Sequence, residues 1–202
     1  MVNENIHYRL PLIKLINSHI WANLNYPARA ILPILGVYAD KKGKAWPGVR
    51  IIAELAGYSD KRYKSIRSGM KDLIKNKLVI REKPGRHYIY YLTDLAVCER
   101  GRSYLPICKG AMILSRKWAG LTPSEKSLYP VLGNKAKIND PEVLDSGFHG
   151  IGNIYEPKKY AEWAGISRKS FYNAYYGLNH KGLIESLDEG EGYYRYGVYV
   201  PQ

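Results

Sequence analysis

The side chains best suited to chemistry in this chain gather in one short run. Ser59, Lys61, Arg62, Lys64, Ser65, Arg67 and Ser68 place four cations and three hydroxyls within ten residues. Cations and hydroxyls at that density suit hydrogen bonding to phosphate oxygens and to base edges, guanine O6 and N7 above all. A second basic group, Arg81, Lys83, Arg86 and His87, follows it, and a third set, Arg168, Lys169, Ser170, Tyr172 and Asn173, lies far along the chain. That third set is less cationic and more aromatic. Asn173 suits adenine, whereas tyrosines serve sugar, phosphate or a protein interface equally well.

Bond-making chemistry finds no comparable footing. The five histidines, His7, His19, His87, His149 and His180, are isolated from one another, so the paired histidines of a rolling-circle nuclease are missing despite nineteen tyrosines. There is no GxxxxGK[ST] loop to cradle a nucleotide and no HExxH to hold a catalytic zinc. Cys98 and Cys108 have neither a CxxC partner nor a neighbouring histidine, which speaks against metal binding. Gly150-Ile-Gly152 lacks the third glycine of a dinucleotide site and reads as a loop. The expectation is a protein that is not an enzyme and uses no cofactor or metal.

The whole-chain charge agrees with an anionic partner. Thirty-one Lys and Arg against eighteen Asp and Glu leave +13 in 202 residues. Residues 1–101 hold 18 basic and 8 acidic side chains, a net of +10, and the remainder holds 13 and 10, a net of +3. Such an excess attracts polyanions. Hydrophobic residues at 46% and charged residues at 24% match ordinary folded proteins, and no apolar stretch reaches the roughly 20 residues of a membrane span. With no secretory signal at its start and no disulfide framework, the chain is expected in the cytoplasm, without a membrane partner.

An internal repeat organises the elements that must position these residues. Residues 16–36 align with 113–133 at eight of 21 positions, Trp21 with Trp118 and Gly36 with Gly133 among them. Residues 53–59 then align with 161–167 at five of seven, after eleven extra residues placed in the loop 135–157. First helices are expected at 27–39 and 124–135, with Pro33 and Pro130 kinking them or standing in the first turn. Second helices follow at 49–56 and 158–164, closed by Gly57 and Gly165. Ser59 and Ser167 suit N-caps of third helices, whose apolar stripes are Tyr63, Ile66, Met70, Leu73, Ile74 and Phe171, Ala174, Tyr175, Leu178.

Each third helix precedes a hairpin, 78–92 in the first copy and 183–200 in the second. The first carries Arg81, Lys83, Arg86 and His87, while the second carries Glu185, Asp188, Glu189 and Glu191. Trp21 and Trp118 are expected in the core. The order of elements is that of a winged helix-turn-helix, so the expected fold is α+β, mainly helical, with two such domains related by duplication. These are 1–94, the main DNA binder, and 110–202, joined by a linker at 95–109.

The segment 28–80 resembles the winged-helix domain of replication-initiator-like and regulatory proteins of phages, plasmids and bacterial chromosomes. The likeness rests on Ile34-Leu35, Gly43-Lys-Ala-Trp-Pro47, Ile52-Ala53, Ala56-Gly-Tyr-Ser59 and Leu78-Val-Ile80, and in the second copy on Ala161, Ala164-Gly-Ile-Ser167 and Lys181-Gly-Leu-Ile184. It implies binding of double-stranded DNA with the third helix in the major groove, in replication initiation or transcriptional regulation on a mobile element. The alternative is an assembly module, in which one winged helix binds DNA and the other binds its own copy or a replication or transcription protein.

Overall fold

The computed structural model describes residues 7–58, 63–97, 105–136, 148–190 and 193–201. The first half runs β1 (His7–Leu10), α1 (Leu12–Asn17), α2 (Ile20–Asn23), α3 (Tyr26–Tyr38), β2 (Lys44–Ala45), α4 (Val49–Leu55), α5 (Tyr63–Lys75), β3 (Val79–Glu82) and β4 (Ile89–Leu92). The second runs β5 (Leu105–Cys108), a π-helical turn (Lys109–Leu114), α6 (Pro123–Lys135), β6 (Gly150–Ile154), α7 (Pro157–Ala164), α8 (Arg168–His180), β7 (Ile184–Gly190) and β8 (Tyr193–Val198). No helix among the described residues is long and apolar enough to cross a membrane.

The central helices α3 and α6 start for local reasons. The Asn25 side chain accepts the Ala28 amide at 2.9 Å, and Pro27 stands in the first turn. Thr122 and Glu125 form a capping box at the start of α6. Pro33 and Pro130 stand eighth of the 13 residues in each helix, well inside it and past the first turn. Gly69 lets α5 cross α3 closely, since a Cβ there would lie 2.7 Å from the Pro27 carbonyl carbon.

Beside each central helix lies a three-stranded antiparallel sheet, ordered β2-β4-β3 in the first half and β6-β8-β7 in the second. The third strand of each sheet departs from the expectation of a two-stranded hairpin. Gly150-Ile-Gly152, expected as a loop, belongs to β6 and pairs with β8 from Gly150↔Val198 to Ile154↔Tyr194. The glycine does have a use there: Gly152 leaves room for the Tyr196 phenol, which a Cβ would meet at 2.5 Å.

The stretch 95–109 also carries structure. Residues 98–104, with Cys98, lie outside the described residues, but 105–108 form β5 and pair antiparallel with β1, His7 opposite Cys108. Tyr8 covers Gly36 and Leu105 covers Gly133, each ring or branch standing where a Cβ would be.

The halves share one buried core, and their contacts are reciprocal. Trp21 and Trp118 are wholly buried, and each indole reaches across. Trp21 Nε1 donates to the Ser127 carbonyl and Trp118 Nε1 to the Ala30 carbonyl, both at 2.9 Å. Gly57 follows α4 at φ +80° and Gly165 follows α7 at φ +60°, in the left-handed region that favours glycine. A Cβ on Gly57 would overlap the Ala119 carbonyl oxygen, and one on Gly165 the Ala22 carbonyl oxygen.

A buried cation stands fourth in each central helix. Arg29 donates to Ser127 Oγ at 2.7 Å, to the Ala164 carbonyl at 2.6 Å and to the Ala22 carbonyl at 2.8 Å. It thereby caps the C-terminal end of α7 with positive charge. Lys126 donates to the carbonyls of Ala119 at 3.2 Å and Leu121 at 2.5 Å. Burial lowers the Arg29 pKa to about 10 and that of Lys126 to about 8.

Candidate nucleic-acid interface

α5 owes its orientation to a stripe of Ile66, Gly69, Met70 and Leu73, buried against the core. Turning that stripe inward leaves Lys64, Arg67, Ser68 and Lys71 exposed and Ser65 half-buried. Two members of the expected apolar stripe deviate: Tyr63 is half-buried and Ile74 is 36% exposed. Ser68 lies at the edge of the basic face, where Asn25 Nδ2 approaches its Oγ and carbonyl at 3.5 Å. Ser59, Lys61 and Arg62 lie outside the described residues.

Lys71 was not among the residues singled out from sequence, although its spacing from Lys64 and Arg67 is helical and would have shown it. The nearby acid is turned away: Asp72 accepts the Asn25 amide at 2.7 Å, which occupies its carboxylate at the start of α3. The cations on the outer face of α5 therefore meet no local carboxylate from that residue.

The β3–β4 hairpin adds a second basic group. Arg81 pairs with Tyr90 in the sheet, and Lys83, Arg86 and His87 are exposed around the turn. The Tyr88 ring steadies two of these cations, with Arg81 Cζ 4.8 Å and Lys83 Nζ 5.7 Å from its centroid.

The second half differs at the corresponding places. Ser167 caps α8 by accepting the Ser170 amide at 3.1 Å. Arg168, Lys169 and Asn173 are exposed, while Ser170 and Tyr172 are half-buried. Tyr172 is held by its neighbours, its ring edge-on to Phe171 at 5.3 Å and its hydroxyl 3.3 Å from Arg168 Nη2. On the hairpin, Glu185 accepts the Tyr199 hydroxyl at 2.6 Å, and Asp188 accepts that of Tyr193. Cation density is thus high on α5 and its hairpin, and it is interrupted by carboxylates on the second hairpin. No group of three or more His, Cys, Asp or Glu among the described residues is placed to hold a metal ion.

The segment with the denser basic face is also the one with a known family likeness. Residues 22–79, which span α3, α4 and α5, match the family model of a helix-turn-helix domain. Within the matched segment α4 precedes α5, and Gly57 follows the end of α4. No curated protein and no solved structure matches the chain.

Proposed function

We propose that this chain is a non-enzymatic, sequence-specific binder of double-stranded DNA, built from two winged helix-turn-helix units related by internal duplication. The observation that carries the reading is the exposed run Lys64, Arg67 and Lys71 on the second helix of the helix-turn-helix domain, beside the basic hairpin of Arg81, Lys83 and Arg86. A helix in the major groove presents such residues to base edges, while a flanking hairpin meets phosphate or minor groove. Ser65 and Ser68 extend the same face in this reading, and Ser59, Lys61 and Arg62, just before α5 in the sequence, add cations and a hydroxyl to the set.

The duplication is supported by the recurring element order and by the reciprocal pairs Trp21–Ser127 and Trp118–Ala30. Reciprocal contacts imply an approximate two-fold axis, so the two units would address half-sites in inverted orientation. The first contributes most of the affinity. In the second, Arg168, Lys169, Ser170, Tyr172 and Asn173 add a weaker half-site, because Glu185 and Asp188 repel the DNA backbone. The resulting role is that of a replication initiator or transcription regulator of a mobile element.

A second reading has its own support: the aromatic α8 face and acidic hairpin suit a protein contact, which would make the second half an assembly surface. Selection of bound duplexes from a random pool by the full chain tests the two. An imperfect inverted repeat is the expected outcome, with selection weakened by Lys64→Ala. A single half-site insensitive to Asn173→Ala favours the assembly reading, and no enrichment of any sequence defeats specific binding.

A further inference from the structure

Helix α5 and helix α8 are each 13 residues long, and three residues separate each from its following strand. Position by position, Arg67 then corresponds to Tyr172 and Met70 to Tyr175. The strand pairs Val79↔Leu92 and Ile184↔Val198 likewise set Tyr88 against Tyr194 and Tyr90 against Tyr196. In the second half these positions fill one another with rings. Tyr194 lies 5.3 Å from Tyr175 and 6.4 Å from Tyr172, centroid to centroid, and Tyr175 is wholly buried.

The first half keeps the strand tyrosines but replaces the two helix rings with Met70 and Arg67. A groove of about 760 Å³ opens there, between α5, the start of α4 and the hairpin. That volume falls within the roughly 300–1,000 Å³ of small-molecule sites. Ile66, Met70 and Tyr90 form its apolar floor, and Arg50, Arg67 and Arg81 stand around it with no carboxylate among the described lining residues. Aromatic rings fit the equivalent volume in the second half, and the cations of the first call for negative charge.

We infer that this groove binds a planar aromatic ring carrying an anionic group, the chemistry of a nucleotide, with the ring on the Met70 and Tyr90 floor and the phosphate between Arg67 and Arg81. The same chemistry is offered by a free nucleotide and by an unpaired nucleotide of a nucleic-acid strand. Rings stack on the tyrosines, and phosphate takes the guanidinium forks.

Calorimetric titration of the full chain with adenosine 5′-monophosphate, adenosine and ribose 5-phosphate tests the inference. One site is expected for the nucleotide, with each fragment bound about tenfold or more weaker. Met70→Tyr, which installs the residue of the second half, is expected to abolish binding while circular dichroism shows the fold retained. Arg81→Gln, on the exposed hairpin, is a second variant independent of the core and is expected to weaken binding about fivefold or more. A short single-stranded oligonucleotide that competes and binds more tightly than the mononucleotide identifies a strand as the source; weaker binding identifies the free nucleotide. Absence of nucleotide binding, ribose 5-phosphate binding as tightly as the nucleotide, or unchanged affinity in Arg81→Gln overturns the inference.

Discussion

The indole nitrogen of Trp118 donates to the backbone carbonyl of Ala30 at 2.9 Å, joining the second half of the chain to the central helix of the first. Its counterpart from Trp21 to Ser127 has the same length, and both rings are wholly buried. Burying large apolar side chains contributes about 1.5–3 kcal/mol each, so these two residues are a substantial part of what holds the halves together.

Trp118→Phe keeps much of the apolar contact and removes the donor. The expected cost is about 1–3 kcal/mol, with a single unfolding transition for the whole chain. Urea melts followed by near- and far-ultraviolet circular dichroism check this. Two separate transitions in the unsubstituted chain would show that the core is not shared.

Gly57→Ala and Gly165→Ala test the turns that abut the opposite half. Each new Cβ meets a carbonyl oxygen and adopts a positive φ, which costs about 1–2 kcal/mol before any overlap. Gly85→Ala, at a hairpin turn with open space around it, is expected to change stability by no more than about 0.5 kcal/mol. Denaturant midpoints of the three variants compare these directly.

Lys126 gives stability a pH dependence. Its folded pKa of about 8 lies below the ordinary 10.5, so above pH 8 the unfolded chain holds a proton that the folded chain has released. Stability therefore rises with pH from 8 toward 10.5, and below pH 8 the cost of burying the charge is fully present. Tyr129 and Tyr196, whose pKa values burial raises above 10, reverse the trend once unfolded tyrosines ionise. Chemical denaturation between pH 8 and about 9.5 stays below the tyrosine range, and Lys126→Met is expected to flatten that slope, leaving the part due to Lys135, whose pKa burial also lowers.

Lys64→Ala and Arg86→Ala are expected to damage DNA binding in different ways. Loss of a base contact from α5 lowers discrimination between the selected site and random duplex by about 1–3 kcal/mol. Loss of a phosphate contact at the hairpin weakens both alike and reduces the salt slope by about one. Competition titrations of both variants against specific and random duplex separate the two roles.

Much of this arrangement was legible in residue spacing. Gly57 and Gly165 marked the turns, Ser167 the cap of α8, and the stripe through Ile66, Met70 and Leu73 the buried side of α5. Local patterns carry such features because one helix turn or one turn residue decides them. The β1–β5 ribbon was not legible, since it joins segments about 100 residues apart through backbone bonds that leave no periodicity. β6 was hidden by its glycines, which serve the packing of Tyr196 and otherwise read as loop. Trp21 and Trp118 were recognisable as core, but their partners in the opposite half were not. On the basic face of α5, spacing did not single out Lys71; Lys64 and Ser68 stand exposed where spacing turns them outward, and Ser65 is half-buried.

The claim that α5 and its hairpin bind duplex DNA is tested most directly by salt dependence. Fluorescence anisotropy of the full chain with its selected duplex, repeated across a salt series, gives the slope of log K against log salt. About five cations on phosphates predict a slope near −4 or steeper, with duplex preferred over either single strand. A slope flatter than about −2, or tighter binding to a single strand than to the duplex, would contradict the account.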